Sequence, residues 1–301
     1  MPGVTAVAEP NALSFSDSEC FAPSPLAAKR GLLTKPIQWV AAKNQPEFAD
    51  YSCLFQVSFC PQFFSAPRRA FPTMYCYDGP DIFEDHRAYS GEGVSWRIAD
   101  YAADLITGGY VPPFNSVGVY PRPGERGNDL LFKQLTEPGT NRKVGGNGRN
   151  YARWFIEAFK PEMEKRIHAL PGPENTVLVG ASIAGLHCIN LALEYPGKIG
   201  TVCALSPSHF MEQDRATANR LLATEFTGTR YFFGIGEREE LSPHGRRDSA
   251  VTTMKLCAAL KKKGWVEGEH FLLYKLPGGD HNNRSFGQMM LSRGFEFALG
   301  R

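Results

Sequence analysis

A serine set among small residues at the end of an apolar run is the sharpest chemical feature of the chain. NTVLVGASIAGLHCINLAL (175–193) reads as a buried strand ending at Gly180, then Ser182, then at once a helix. A serine hydroxyl is a weak nucleophile until a base takes its proton, and a strained strand-to-helix turn exposes it to one. The first turn of the helix behind it favours negative charge developing nearby. Gly180-Ala181-Ser182-Ile183-Ala184-Gly185 departs from G-x-S-x-G at its last position, where Ala184 stands in place of glycine and Gly185 follows. A helix-capping serine is the plainer reading of the same residues.

Candidate partners follow in the order Ser, acid, His that such a relay takes in a strand–turn–helix context. FFGIGEREEL (232–241) runs just past a candidate strand and offers Glu237, Glu239 and Glu240 as the carboxylate that orients an imidazole and stabilises its charged form. Only one can serve, and the residues by themselves do not choose. His281 lies in LPGGDHNNRSF (276–286), after the last candidate strand and before the last helix, with Asp280 and Asn282 as turn residues.

The elements that must position these groups alternate along the chain. Candidate strands are 53–60, 72–77, 115–120, 175–180, 201–206, 229–236 and 269–276, the last five being short apolar runs of the kind buried on both faces. Helical patterns occupy 94–107, 149–169 (where Pro161 predicts a kink or break), 183–195, 248–263 and 284–299. The alternation implies an α/β fold with a mostly parallel sheet, helices on both faces and right-handed crossovers. Residues 1–35, rich in Pro, Ser and Ala, read as a flexible tail or arm, and 36–301 as a single domain. Within it the long Gly-rich stretch 121–148 leaves the C-terminal end of a strand, where α/β enzymes place their sites, and reads as a functional rim, with a tolerated surface insertion as the alternative.

Composition narrows the function. Hydrophobic residues make up 43% and charged residues 21%, and 33 basic against 31 acidic side chains leave +2, with no long basic block. That argues against nucleic acid or an anionic membrane as the main partner. The seven cysteines show no C-x-x-C pair or other metal-ligand spacing and read as buried thiols, so no metal or other cofactor is expected. The first ten residues lack the basic and apolar regions of a signal peptide, and no run approaches the length of a membrane span, so a cytoplasmic protein is expected.

Five motifs in register also carry a resemblance. PTMYCYDGPDIF (72–83) resembles the "P-v-L-Y-l-l-D-G-x-x-x-F" opening of the putative-esterase family of α/β-hydrolases. That family includes enterochelin and other siderophore esterases, feruloyl esterases, S-formylglutathione hydrolase and mycolyltransferases. Residues 96–130 resemble its helix, "G-x-i-P-P" turn, strand and "R-x-x-E/D-L" element, and YARWFIEAFKPEME (151–164) its "Y-x-x-F-i-x-x-E-l-x-P" helix. GASIAG stands where the family has G-x-S-x-G-G, and LPGGDHNNRSF resembles "G-G-x-H-x-x-x-x-W" with Phe286 at the aromatic position. The likeness covers about residues 53–300.

The resemblance implies an α/β-hydrolase fold, Ser182 as nucleophile and His281 as base. The esterase spacing from Gly236 implies Glu239 as the acid, the mycolyltransferase spacing Glu240, and Glu239 is favoured. The oxyanion hole would take one N–H from Ile183 and another from the residue after D-G. Here that residue is Pro80, which has no N–H, so either Gly79 or Asp81 donates instead, or the reaction tolerates a weaker hole, or the protein is not an ordinary esterase. Apart from the resemblance, Arg122, Arg126, Arg142 and Lys143 in 121–148 read either as a basic rim that binds anionic substrates or as solvated loop charge. The activity implied is hydrolysis of a carboxylic ester through an acyl-enzyme, on a siderophore-type or other secondary-metabolite ester. Two rivals are an acyltransferase with the same triad, and a hydrolase-fold protein that binds or cyclises a small molecule without hydrolysis.

Overall fold

A computed structural model describes residues 32–300, apart from 64, 67–68, 89–92, 137–139, 213, 242–244 and 282–283. The side chains of 241, 245–246 and 284–287 also fall outside the description, as do residues 1–31, so most of the expected tail, Asn282 and the Phe286 ring are not covered.

The strands are β1 (Leu32–Leu33), β2 (Ile37–Trp39), β3 (Cys53–Phe59), β4 (Thr73–Tyr77), β5 (Asn115–Val119), β6 (Gln134–Thr136), β7 (Lys143–Gly145), β8 (Thr176–Ala181), β9 (Thr201–Leu205), β10 (Arg230–Gly236) and β11 (Phe271–Leu276). The helices are α1 (Ile98–Thr107), α2 (Arg126–Leu130), α3 (Gly148–Trp154), α4 (Lys160–Arg166), α5 (Ile183–Glu194), α6 (Ala216–Ala223), α7 (Gly245–Lys262) and α8 (Arg284–Leu299). The main sheet runs β1-β3-β5-β4-β8-β9-β10-β11, with β2 also on β3. From β5 to β11 every pairing is parallel. Helices cover both faces, α1 packing on α8, α8 on β9 and β10, and α5 on β8 and β9. This is the α/β architecture expected from the alternation.

The antiparallel edge is a departure. β3 runs against β5, and β1 and β2 share its other side, β1 on Phe59 and Ser58, β2 on Phe55 to Cys53. Leu32 to Thr34 therefore belong to the sheet rather than to a tail. Thr34 exchanges backbone and side-chain hydrogen bonds with Val57 across the gap that Pro36 opens between the two short strands. Pro161 likewise does something other than break its helix. A π turn, Phe155–Phe159, joins α3 to α4, which absorbs the missing N–H of Pro161. The carbonyl that this N–H would have met in an α-helix, that of Glu157, accepts from Gln45 Nε2 at 3.4 Å instead.

Parallel strands aim their C-terminal ends the same way. β4 delivers Asp78 and Gly79, β8 Ser182, β9 Ser206 to Ser208, β10 the 237–241 turn, and β11 the loop to His281. The 121–148 rim leaves β5 at that same edge and carries α2 and the β6–β7 hairpin, neither of which its polar composition suggests.

Candidate active site

Ser182 follows β8 at φ 57° and ψ −124°, a backbone conformation that costs a non-glycine residue of order 1–3 kcal/mol. The turn is pinned from several sides. Ser182 donates its amide to Leu205 O at 2.9 Å, and its carbonyl accepts from the amides of Gly185, Leu186 and Ser208. Glycine is required at 180, because a Cβ there would lie 2.4 Å from Ala184 O. At 184, where the motif departs from G-x-S-x-G, the alanine is fully buried and its methyl is accommodated.

The geometry separates the three glutamates, of which only the resemblance favours Glu239. Glu239 is fully buried; its Oε1 accepts from the Gly236 amide at 2.7 Å and from the Ser206 hydroxyl, and its Oε2 lies 3.1 Å from His281 Nδ1. Glu240 instead forms an ion pair with Lys275 at 2.5 Å. Glu237 accepts from the Gly278 amide at 2.9 Å, holding the loop that carries His281. The two loops meet closely where Gly236 faces Gly279, a Cβ on Gly236 falling 2.5 Å from that backbone. Arg238 N also donates to Gly279 O at 2.8 Å. His281 keeps 13% of its side chain exposed, so one edge of the ring faces the buried acid while the imidazole remains accessible.

Ser182 itself is turned elsewhere. Its Oγ lies 2.6 Å from Ser208 Oγ, and among the described residues no hydrogen bond joins it to His281. Ser206 and Ser208 were not singled out from the sequence. The signal available was Ser-Pro-Ser directly after β9, at the same sheet edge as the nucleophile.

Beside it in the sheet, β4 pairs with β8 with Cys76 opposite Val179; three residues further along, past both strand ends, stand Gly79 and Ser182. The Asp81 amide is committed to Asp78 O at 2.8 Å. The amides of Gly79 and Ile183 donate no hydrogen bond among the described residues. Of the two alternatives to Pro80, the structure therefore leaves an unused donor at Gly79 and not at Asp81.

The structure pairs both arginines named for the expected basic rim with carboxylates of this chain. Arg126 makes a two-pronged pair with Asp78, both bonds 2.6 Å. Arg122 does the same with the buried Asp129 at 2.8 and 2.6 Å and lies over the Tyr51 ring. Each guanidinium is thus paired with a carboxylate of this chain, and the Arg126 pair braces the Asp78 turn. Lys143 donates to Thr136 Oγ1 at 2.6 Å, within the hairpin. Two further histidines lie deeper. Burial pushes His187, among Tyr77, Phe132 and Tyr151, down to about 3, and His209 down to about 4. Both are neutral at ordinary pH.

Among the described residues no helix is long and apolar enough to cross a membrane. Residues 51–293 match the family model described as "Putative esterase". The uncharacterized protein YbbA of Bacillus subtilis (strain 168) is 24% identical over 231 residues, 76% of this chain and 86% of that protein. Among solved structures, the siderophore hydrolase EstB from Aspergillus nidulans is 16% identical with a TM-score of 0.62, over 88% of this chain and 94% of that one. The BES protein from Bacillus cereus is 19% identical with a TM-score of 0.63, over 88% and 95%. The enterobactin esterase FES from Shigella flexneri is 15% identical with a TM-score of 0.61; 88% of this chain matches 58% of that larger one.

Proposed function

This chain belongs to the Putative esterase family, and from that premise we propose that the esterase works as a serine hydrolase through an acyl-enzyme on Ser182. The observation that carries the reading is the buried Glu239 carboxylate 3.1 Å from His281 Nδ1, on the sheet edge that also bears the strained Ser182 turn. A carboxylate at Nδ1 keeps the proton there and leaves Nε2 as the base. The Ser182 hydroxyl keeps its oxygen beside Ser208 and turns its proton toward that nitrogen, a contact that tightens when substrate binds.

In the proposed reaction Ser182 Oγ attacks the ester carbonyl as its proton passes to His281. The carbonyl oxygen becomes an anion between the Ile183 and Gly79 amides, each such donor being worth about 100-fold or more in rate. The tetrahedral intermediate collapses with His281 returning the proton to the leaving alcohol, and water, deprotonated by the same imidazole, releases the acid. Arg126 holds Asp78 and with it the turn that presents Gly79.

The substrate class we propose is a siderophore-type or other secondary-metabolite ester, supported by the likeness to a siderophore hydrolase and an enterobactin esterase. It is taken at the rim formed by 121–148. A cytoplasmic location is supported by six cysteines that are free and buried. The test is Ser182→Ala assayed on a short-chain aryl ester. The variant is expected to keep its thermal midpoint and to lose at least roughly 10⁴-fold in kcat; retained turnover contradicts the proposal.

A further inference from the structure

The Ser-Pro-Ser turn after β9 touches both ends of the proposed relay. Ser206, at φ 43°, gives its hydroxyl to Glu239. Ser208, 1% exposed, puts its Oγ 2.6 Å from that of Ser182 and its amide on Ser182 O at 3.1 Å. We propose that Ser208 is a further catalytic residue, donating its hydroxyl proton as a hydrogen bond to Ser182 Oγ while that oxygen reacts. This rests on the serine-hydrolase reading above.

Two hydroxyls share one bond, and the direction follows from what else each can reach. Among the described residues Ser208 Oγ makes no other side-chain hydrogen bond. If Ser182 were the donor, the proton of Ser208 would be buried without an acceptor, a state that native structures avoid. With Ser208 as donor its proton is satisfied. The proton of Ser182, whose side chain is half-buried rather than enclosed, is then free to pass to His281.

The consequence is electrostatic. As Ser182 Oγ gives its proton to His281 and forms the bond to carbonyl carbon, it carries transient negative charge that an O–H donor stabilises. In deacylation the same oxygen is the leaving group, the C–Oγ bond breaks, and Oγ recovers a proton from His281 under the same hydrogen bond. Ser208 keeps its own proton throughout. The bond strengthens as the charge grows, so it lowers both barriers with little effect on ground-state binding. Hydrogen bonds to charged groups are worth about 1.5–3 kcal/mol, or roughly 10- to 100-fold in rate.

The test compares wild type, Ser208→Ala and Ser208→Cys, the last keeping the volume with a weak donor. Each is labelled with a fluorophosphonate under second-order conditions, the adduct mapped, and kcat and KM measured on an aryl ester. Wild type is expected to label at Ser182. Ser208→Ala is expected to label and turn over roughly 10- to 100-fold more slowly, with KM and the thermal midpoint nearly unchanged and Ser208→Cys nearer to alanine than to serine. Equal rates in wild type and Ser208→Ala overturn this inference alone. Faster labelling in Ser208→Ala also overturns it, since the bond would then restrain the nucleophile. A wild type that does not label at Ser182 overturns the serine-hydrolase reading as well.

Discussion

Changing Glu239 to glutamine replaces one oxygen by an NH2 group in a site whose donors are fixed. In the native arrangement Oε1 accepts from the Gly236 amide and the Ser206 hydroxyl, and Oε2 faces His281 Nδ1. The glutamine can keep its oxygen on Gly236, and its NH2 then points at Nδ1, which can only accept. The imidazole proton moves to Nε2, and the base disappears. The flipped orientation instead sets NH2 against the Gly236 N–H, a backbone donor that cannot turn away, and leaving it unsatisfied costs about 1–3 kcal/mol. That penalty is enough to make the wrong tautomer dominant. A tautomer error of this kind in a Ser–His–acid relay lowers kcat by about 10⁴. Glu240→Gln loses a partly exposed pair with Lys275, worth about 0–1 kcal/mol, and Glu237→Gln keeps an acceptor for Gly278. Both are expected to stay within a few-fold of wild type. The assay is kcat on an aryl ester for all three variants, with unfolding midpoints to show that each is folded. A Glu239→Gln enzyme within tenfold of wild type refutes the assignment, as does a Glu240→Gln enzyme that falls as far.

Gly79→Ala is expected to lower kcat by about 100-fold if its amide is the second oxyanion donor, because a Cβ there would sit 2.0 Å from the Tyr120 ring and displace the turn. Pro80→Ala, which adds an N–H without disturbing Gly79, is expected to change kcat by only a few-fold; a 100-fold gain would instead place the hole at residue 80. Acid stability should report on His187, whose folded pKa is depressed to about 3 by burial from an ordinary 6.5. Between those values the unfolded chain holds a proton that the folded one refuses, so stability falls by about 1.4 kcal/mol per pH unit as pH is lowered. Urea midpoints followed from pH 7 to pH 4 should therefore drop less steeply in His187→Phe than in wild type, and parallel slopes would contradict the neutral buried imidazole.

Long-range order was more legible in the sequence than short-range detail. Seven candidate strands correspond to β3, β4, β5 and β8 to β11 within a residue or two, because strands buried on both faces appear as apolar runs between turn residues. β1, β2 and the β6–β7 hairpin, two or three residues each, are too short to show a period, and β1 and β2 draw their hydrogen bonds from β3 rather than from their own composition. The places of Ser182 and His281 could be read because each sits where a strand ends. Apart from the family spacing that favours Glu239, nothing in the residues separates it from its neighbours, since what distinguishes it is burial against Ser206, Gly236 and His281. The arginines of the rim show the converse: as residues in a list they are positive charge, and only in the fold do Asp78 and Asp129 cancel them. Ser208 carries no pattern that marks it, because its neighbour is 26 positions away in the chain.

The proposed mechanism requires Ser182 to carry the acyl group during turnover. Intact-protein mass spectrometry of the enzyme quenched during hydrolysis of a slowly released aryl ester, followed by peptide mapping, reads this directly. A mass increase equal to one acyl group is expected, located on the peptide containing Ser182 and absent from both Ser182→Ala and His281→Ala. An acyl group on any other residue, or full turnover by the Ser182→Ala enzyme, contradicts it.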